Sequence, residues 1–240
     1  MTEGLNIAQY LDSTYLTTSK ETDCTEKEEM FIVKNKIKEA ISCQFACIMI
    51  RPIFVKMAKD IIEQASGSLK IGTVIDFPLG NSSTKQKLVE AKKAMEDGAF
   101  DIDIVCDYNA FKRGSLDKFN LDIIKLTGLV LSKNRIVKWI IETGALSAEE
   151  IIGVVKQIQQ IVKANYFNQS SNIFIKTSTG YYAGYGAELK DIRAIKSVSG
   201  DLQIKASGGI SNLKKCKEMI EAGATRIGTS KAFLIYNESK

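Results

Sequence analysis

Met95-Glu96-Asp97-Gly98-Ala99-Phe100-Asp101-Ile102-Asp103-Ile104-Val105 holds the unit from which the fold is read: a helix closing at a glycine, then a strand. Gly98 suits the left-handed residue that ends many helices, because no Cβ clashes there. Ile220-Glu221-Ala222-Gly223-Ala224 is a near copy, again directly ahead of a short strand-like run. Working outward, strands are expected at Phe45–Ile50, Ile71–Phe77, Asp101–Val105, Ile136–Glu142, Asn172–Lys176, Leu202–Ala206 and Thr225–Gly228. A very short one around Tyr10–Asp12 makes eight. Their starts are mostly ~25–35 residues apart, the length of one strand, one helix and two loops.

Helix starts fall between them. Thr25-x-x-Glu28, Ser83-x-x-Gln86 and Ser147-x-x-Glu150 each read as a capping box. Met30, Val33, Ile37 and Ile41 form one apolar stripe at helical spacing, and Leu88, Ala91 and Met95 another, both expected to pack on a sheet. Repeated helix–glycine–strand units without a break in composition predict an α/β fold, a (β/α)8 TIM barrel forming a single domain over residues 1–240. No Gly-x-Gly-x-x-Gly follows the first strand, which argues against an open dinucleotide-binding sheet.

Composition narrows the chemistry. The 240 residues include no histidine, so the commonest general base and metal ligand is absent. Cys24, Cys43, Cys47, Cys106 and Cys216 are an odd, scattered set without Cys-x-x-Cys, which speaks against disulfides and structural zinc. The 33 basic and 28 acidic residues are interspersed, so the net charge of +5 reads as solvated helix faces and not as a nucleic-acid surface. Met1–Asn6 lacks the layout of a signal peptide, and no apolar run reaches the ~18 residues of a membrane helix, so a cytoplasmic protein is expected.

In such a barrel, active residues lie at the carboxyl ends of the strands. Reading those ends gives Asp12, Cys47, Asp76, Asp103, Glu142, Lys176, Lys205 and Gly228. Lys176 and Lys205 close consecutive strands and are each followed by small residues. Adjacent strands are ~4.8 Å apart, so two amines there repel when both are charged, and burial adds to that pressure. A free lysine at pKa ~10.4 is neutral in roughly one molecule in 2,500 at pH 7; a value of ~7–8 makes it a usable nucleophile for a carbonyl carbon. The alternative, that both lysines only bind phosphate or pair with carboxylates, stands beside this reading. Asp101 and Asp103 share a face, and a lysine is the natural partner for a carboxylate inside the barrel. Lys138 and Glu142 also share a face and are expected to form an interior charge pair. Ser207-Gly208-Gly209 and Gly228-Thr229-Ser230 read as a phosphate cradle ahead of a final helix, with Lys231 adding a cation.

Asp76-Phe77-Pro78-Leu79-Gly80-Asn81, Asp101-Ile102-Asp103-Ile104-Val105, Ile140-Ile141-Glu142-Thr143-Gly144, Lys176-Thr177-Ser178-Thr179-Gly180, Lys205-Ala206-Ser207-Gly208-Gly209 and Arg226-Ile227-Gly228-Thr229-Ser230 together resemble the deoxyribose-phosphate aldolases, lysine-dependent (class I) lyases. The similarity runs from about Ile7 to Leu234. It implies reversible cleavage of 2-deoxy-D-ribose 5-phosphate to acetaldehyde and D-glyceraldehyde 3-phosphate, with no metal and no cofactor, in deoxynucleoside breakdown. Carried over, Lys176 forms the Schiff base, Lys205 lowers its pKa and joins the proton relay, and Asp103 acts with Lys205 on the C3 hydroxyl proton. Gly208, Gly209, Gly228 and Ser230 hold the phosphate. The chain departs from the pattern at Ser13, Lys231 and the aromatic loop Tyr181–Gly186. The expected partners are a small sugar phosphate and a second copy in a homodimer, with no nucleic acid and no membrane. Another Schiff-base aldolase or transaldolase, and a phosphate-binding barrel without turnover, are the competing readings.

Overall fold

A computed structural model describes residues 4–240; Met1, Thr2 and Glu3, part of the stretch read for a signal peptide, lie outside the described residues. Eight parallel strands close into a barrel in sequence order: β1 (Leu11–Tyr15), β2 (Cys47–Ile50), β3 (Lys70–Ile75), β4 (Asp101–Val105), β5 (Ile136–Ile140), β6 (Ile173–Lys176), β7 (Gln203–Ser207) and β8 (Arg226–Thr229). Around them run α1 (Glu26–Ser42), α2 (Val55–Gln64), α3 (Thr84–Asp97), α4 (Tyr108–Lys112), α5 (Leu116–Leu131), α6 (Ala148–Asn165), α7 (Leu189–Val198), α8 (Leu213–Glu221) and α9 (Ala232–Glu238). The expected (β/α)8 architecture is the observed one. No helix among the described residues is long and apolar enough to cross a membrane.

Local chemistry sets the boundaries. Thr25, Ser83 and Ser147 each cap a helix while the glutamate or glutamine three residues on returns a bond to the cap backbone. Gly98 ends α3 at φ +120°. Two strands stop earlier than the apolar runs suggest, because Asp76 (φ +52°) and Glu142 (φ +56°) turn into the left-handed region. The first stripe also shifts: Met30 is 41% exposed, while Glu29 turns inward to accept the Ser19 amide at 2.9 Å.

The apolar shell between strands and helices is continuous, with Val33, Ile37, Ile123, Leu126, Val154 and Ile158 fully buried. The barrel lumen is different. On one side Leu16, Cys47, Met49 and Val74 pack with Phe77. On the other, Asp12, Asp101, Asp103, Lys138 and Lys205 are all fully buried. Barrels usually fill this volume with branched aliphatic residues. Charges there need mutual neutralisation to be tolerated.

The loop after β3 is fixed from outside the lumen. Lys87 of α3, fully buried, donates to the Gly80 carbonyl (2.9 Å), the Val105 carbonyl (3.0 Å) and Asp122 (3.0 Å). Asp76 accepts the amide and hydroxyl of Ser82, so it serves its own turn and not the lumen. Lys87→Met leaves the buried Asp122 without its close cation and is expected to cost about 3–5 kcal/mol in urea unfolding. Lys87→Met with Asp122→Leu should recover most of that; a single variant as stable as the parent would show that this clamp contributes nothing.

Candidate active site

Lys176 is the last residue of β6, Lys205 the third of β7 and Arg226 the first of β8, and the three are register partners in one row. Barrel tilt makes that row descend from the mouth to the floor. Asp103 lies opposite, paired in register with Lys138. One carboxylate oxygen, Asp103 Oδ2, receives Lys176 Nζ at 2.8 Å and Lys205 Nζ at 2.9 Å. Its other oxygen is 3.2 Å from Lys138 Nζ. Below, Asp12 Oδ2 is 2.6 Å from Lys205, Asp12 Oδ1 accepts Arg226, and Asp101 accepts Lys138.

Burial is the largest influence on each group, and the neighbours decide the sign. Burial alone would raise Asp103, but Lys138, Lys176 and Lys205 outweigh it and hold the carboxyl far below the usual range. Asp12 is likewise held low against its burial by Lys205, Arg226 and Lys138. Burial would lower Lys138, yet Asp101, Asp103 and Asp12 keep it above the ordinary lysine range. Lys176 goes the other way. Burial lowers it, Asp103 opposes, Lys205 adds to the lowering, and the amine settles at about 8. Repulsion by Lys205 and burial were both expected; burial leads, and Lys205 comes third after the opposing Asp103.

Above Lys176 a cavity of about 600 Å3 opens at the carboxyl ends of the strands. Lys176, only 2% exposed, lies on its wall with Ser207, Gly208, Gly209, Gly228 and Ser230, so the candidate nucleophile and the candidate phosphate cradle share one space. Gly208 (φ +93°) and Gly209 (φ +66°) both need the left-handed region. A Cβ on Gly228 would come 2.2 Å from Ser207 Oγ and 3.0 Å from Lys205 Cε, so this glycine makes room for the lysine. The final helix, α9, has only seven residues, so the cradle rests on loops and Lys231 and not on a helix terminus.

Several expectations need correction. Asp12 and Cys47 are near the starts of their strands, not the ends. Cys47 is buried beside Asp101 and Asp12, and burial with both carboxylates pushes its thiol up. Glu142 does not pair with Lys138. Its left-handed backbone breaks the alternation, and its carboxylate accepts the Thr179 amide and hydroxyl instead. Burial, only partly offset by those bonds and Lys176, raises it. Three features were not read from the sequence: Arg226 as a lumen charge, Lys36 of α1 on the cavity wall, and Tyr181 closing the mouth. Tyr181 donates to the Leu16 carbonyl at 3.1 Å and packs edge-on to Phe77, beside Arg51. Arg226 had a signal, an arginine opening a buried strand, and Tyr181 belongs to the aromatic loop noted in the sequence.

Comparison with known proteins converges on one family. The DeoC/LacD family aldolase profile matches residues 8–231. A protein named deoxyribose-phosphate aldolase from Caldicellulosiruptor saccharolyticus is 37% identical over 97% of each chain, and one from Mycoplasmopsis synoviae is 38% identical over 98% of each. Among solved structures, QR15, an aldolase, has a TM-score of 0.80 at 33% identity, covering 97% of this chain and 95% of its own. The tetrameric deoxyribose phosphate aldolase from Aeropyrum pernix has a TM-score of 0.79 at 27% identity, covering 97% and 90%.

A lysine at about 8 is neutral in about one molecule in ten at pH 7. Reaction of Lys176 with a small amine-directed reagent should therefore rise with pH to a midpoint near 8, read by peptide mass spectrometry. A midpoint above 10 would contradict the buried setting of the amine.

Proposed function

The chain belongs to the DeoC/LacD family of aldolases, and from that premise we propose that it cleaves 2-deoxy-D-ribose 5-phosphate reversibly to acetaldehyde and D-glyceraldehyde 3-phosphate through an imine on Lys176. The observation that carries the reading is one buried amine, lowered to about 8, on the wall of a cavity also lined by Gly208, Gly209 and Gly228.

The neutral Lys176 amine attacks the C1 aldehyde carbon of the open-chain sugar. Loss of water from the carbinolamine leaves a protonated imine, which draws electrons from the adjoining bond. As the C3 hydroxyl gives up its proton, the C2–C3 pair moves toward the imine nitrogen. D-glyceraldehyde 3-phosphate departs, and the remaining two carbons stay as an enamine. Protonation at C2 restores the imine, and water hydrolyses it to acetaldehyde and the free amine.

Asp103 and Lys205 serve the proton steps. Held far below its usual range, Asp103 is a weak base on its own. It orients the Lys176 amine for attack and, with the Lys205 ammonium and a water, relays the C3 hydroxyl proton. Imine formation leaves Lys176 a single N–H, while the Lys205 ammonium stays on Oδ2 of Asp103 and can pass a proton through the water. Gly208, Gly209, Gly228 and Ser230 enclose the phosphate, with Lys231 and Lys36 supplying positive charge at the rim. The same reading carries a cytoplasmic homodimer; exposed Ile53, Leu79 and Val89 offer apolar surface for a second copy.

The decisive assay couples D-glyceraldehyde 3-phosphate release from deoxyribose phosphate to a dehydrogenase, with chelator present. Turnover should persist with chelator and fall by at least about 10^3-fold in Lys176→Ala. Borohydride with acetaldehyde should add two carbons at Lys176. Folded protein that stays unlabelled under these conditions would overturn the imine mechanism.

A further inference from the structure

We propose that Arg226 is a positioning residue that sets the protonation of Lys176 from the floor of the barrel, acting through Asp12 and Lys205; this rests on Lys176 being the imine-forming amine. The lumen side chains form one connected chain of ion pairs. Arg226 holds Asp12 and is 3.5 Å from Asp101, Asp12 is 2.6 Å from Lys205, and Lys205 and Lys176 share Asp103 at 2.9 and 2.8 Å. Lys138 closes the network against Asp101 and Asp103.

The charges in that network do not balance if every amine is protonated. Asp12, Asp101 and Asp103 are matched by Lys138, Lys205 and Arg226, three against three. Lys176 is the fourth cation, with no carboxylate of its own. In a dry lumen an excess charge is strongly disfavoured, so neutrality is reached when Lys176 gives up its proton. Lys205 touches two carboxylates and Lys138 two within 3.2 Å, whereas Lys176 touches one. The surplus therefore falls on Lys176, the amine at the cavity.

Among the described residues no other lumen group alters the count. Cys47 of β2, pushed up by burial, stays a thiol. β3 contributes Gly72 and Val74, which carry no charge. Glu142 lies beyond β5, bonded to Thr179, and no cation comes within ion-pair distance of it among the described residues. Its effect is the same in every variant below.

Arg226 is the one member that reaches toward the opposite face, with a side chain 14% exposed, so it can be changed without touching the cavity. Loss of its charge leaves three carboxylates against two cations, and balance then requires Lys176 to be protonated. Loss of Asp101 does the reverse.

The test is the pH dependence of borohydride trapping of acetaldehyde at Lys176, read by mass spectrometry alongside kcat/KM. In Arg226→Met the midpoint should rise by about one unit or more, cutting labelling at pH 7 about tenfold, with recovery at high pH. Arg226→Lys should keep the parent midpoint. Asp101→Asn should move it down. A folded Arg226→Met with an unmoved midpoint, or with an equal loss at every pH, overturns the proposal. If Arg226→Met does not fold, an Asp101→Asn midpoint that fails to fall overturns it. Parent enzyme that is not labelled at Lys176 overturns the imine reading and this inference together; a labelled parent with unmoved variants overturns the inference alone.

Discussion

The rest of the structure depends on Asp103 being an ionised carboxylate at the centre of a sealed barrel. Such a group cannot be hydrated, so its neighbours must supply what water would. Three lysines from β5, β6 and β7 do so, two of them on the same oxygen. Those lysines need counter-charges in turn, which brings in Asp101 and Asp12, and Asp12 brings in Arg226. One buried acid thus dictates the side chains of six strands. Replacing buried ion pairs by packed aliphatic residues is often neutral or stabilising, so stability alone does not account for the network.

The two halves of the lumen divide the work. The apolar side, with Leu16, Cys47, Met49, Val74 and Phe77, is uncharged packing, and of these Leu16 reaches the cavity wall. The ionic side holds the Lys176 amine against Asp103. Between them the loops after β6 and β7 are locked together: Ser178 donates to the Ser207 carbonyl at 2.8 Å, and the Ala187 amide to the Gly208 carbonyl at 3.0 Å. These bonds tie the glycine loop after β7 to the segment that follows Lys176. Gly186 permits this approach, since a Cβ there would come 2.5 Å from the Gly208 carbonyl oxygen.

The fold was legible because its signals are local. Capping boxes, the glycine stops at Gly98 and Gly223, and the buried parallel strands each depend on a few neighbouring residues. Lys176, Lys205 and Asp103 were legible as charged residues in buried strands and they do converge, although only Lys176 ends its strand and the other two sit mid-strand. Their partners were not, because a barrel's shear is a property of the closed sheet. Lys176, Lys205 and Arg226 occupy last, middle and first positions of their strands, yet they form one row. Alternation alone joined Lys138 to Glu142, but a single left-handed residue ends that periodicity, and Lys138 turns to Asp101 instead. Backbone conformation at Glu142 is not encoded in the identity of its neighbours strongly enough to read.

Four cations of ordinary chemistry line this lumen, and position separates their roles. Lys138 and Lys205 have fully buried side chains and each touches two carboxylates. Arg226 cannot lose its proton in any useful range. Lys176 is the one with a single carboxylate contact and with access to the cavity. Burial acts against the charge of both Lys138 and Lys176, but the carboxylates overcome it at Lys138 and not at Lys176. Which amine faces the cavity therefore follows from where the row of cations meets the mouth. Moving the lysine one residue along β6 would place it on the outer face, against the helices, with the same sequence composition and no site.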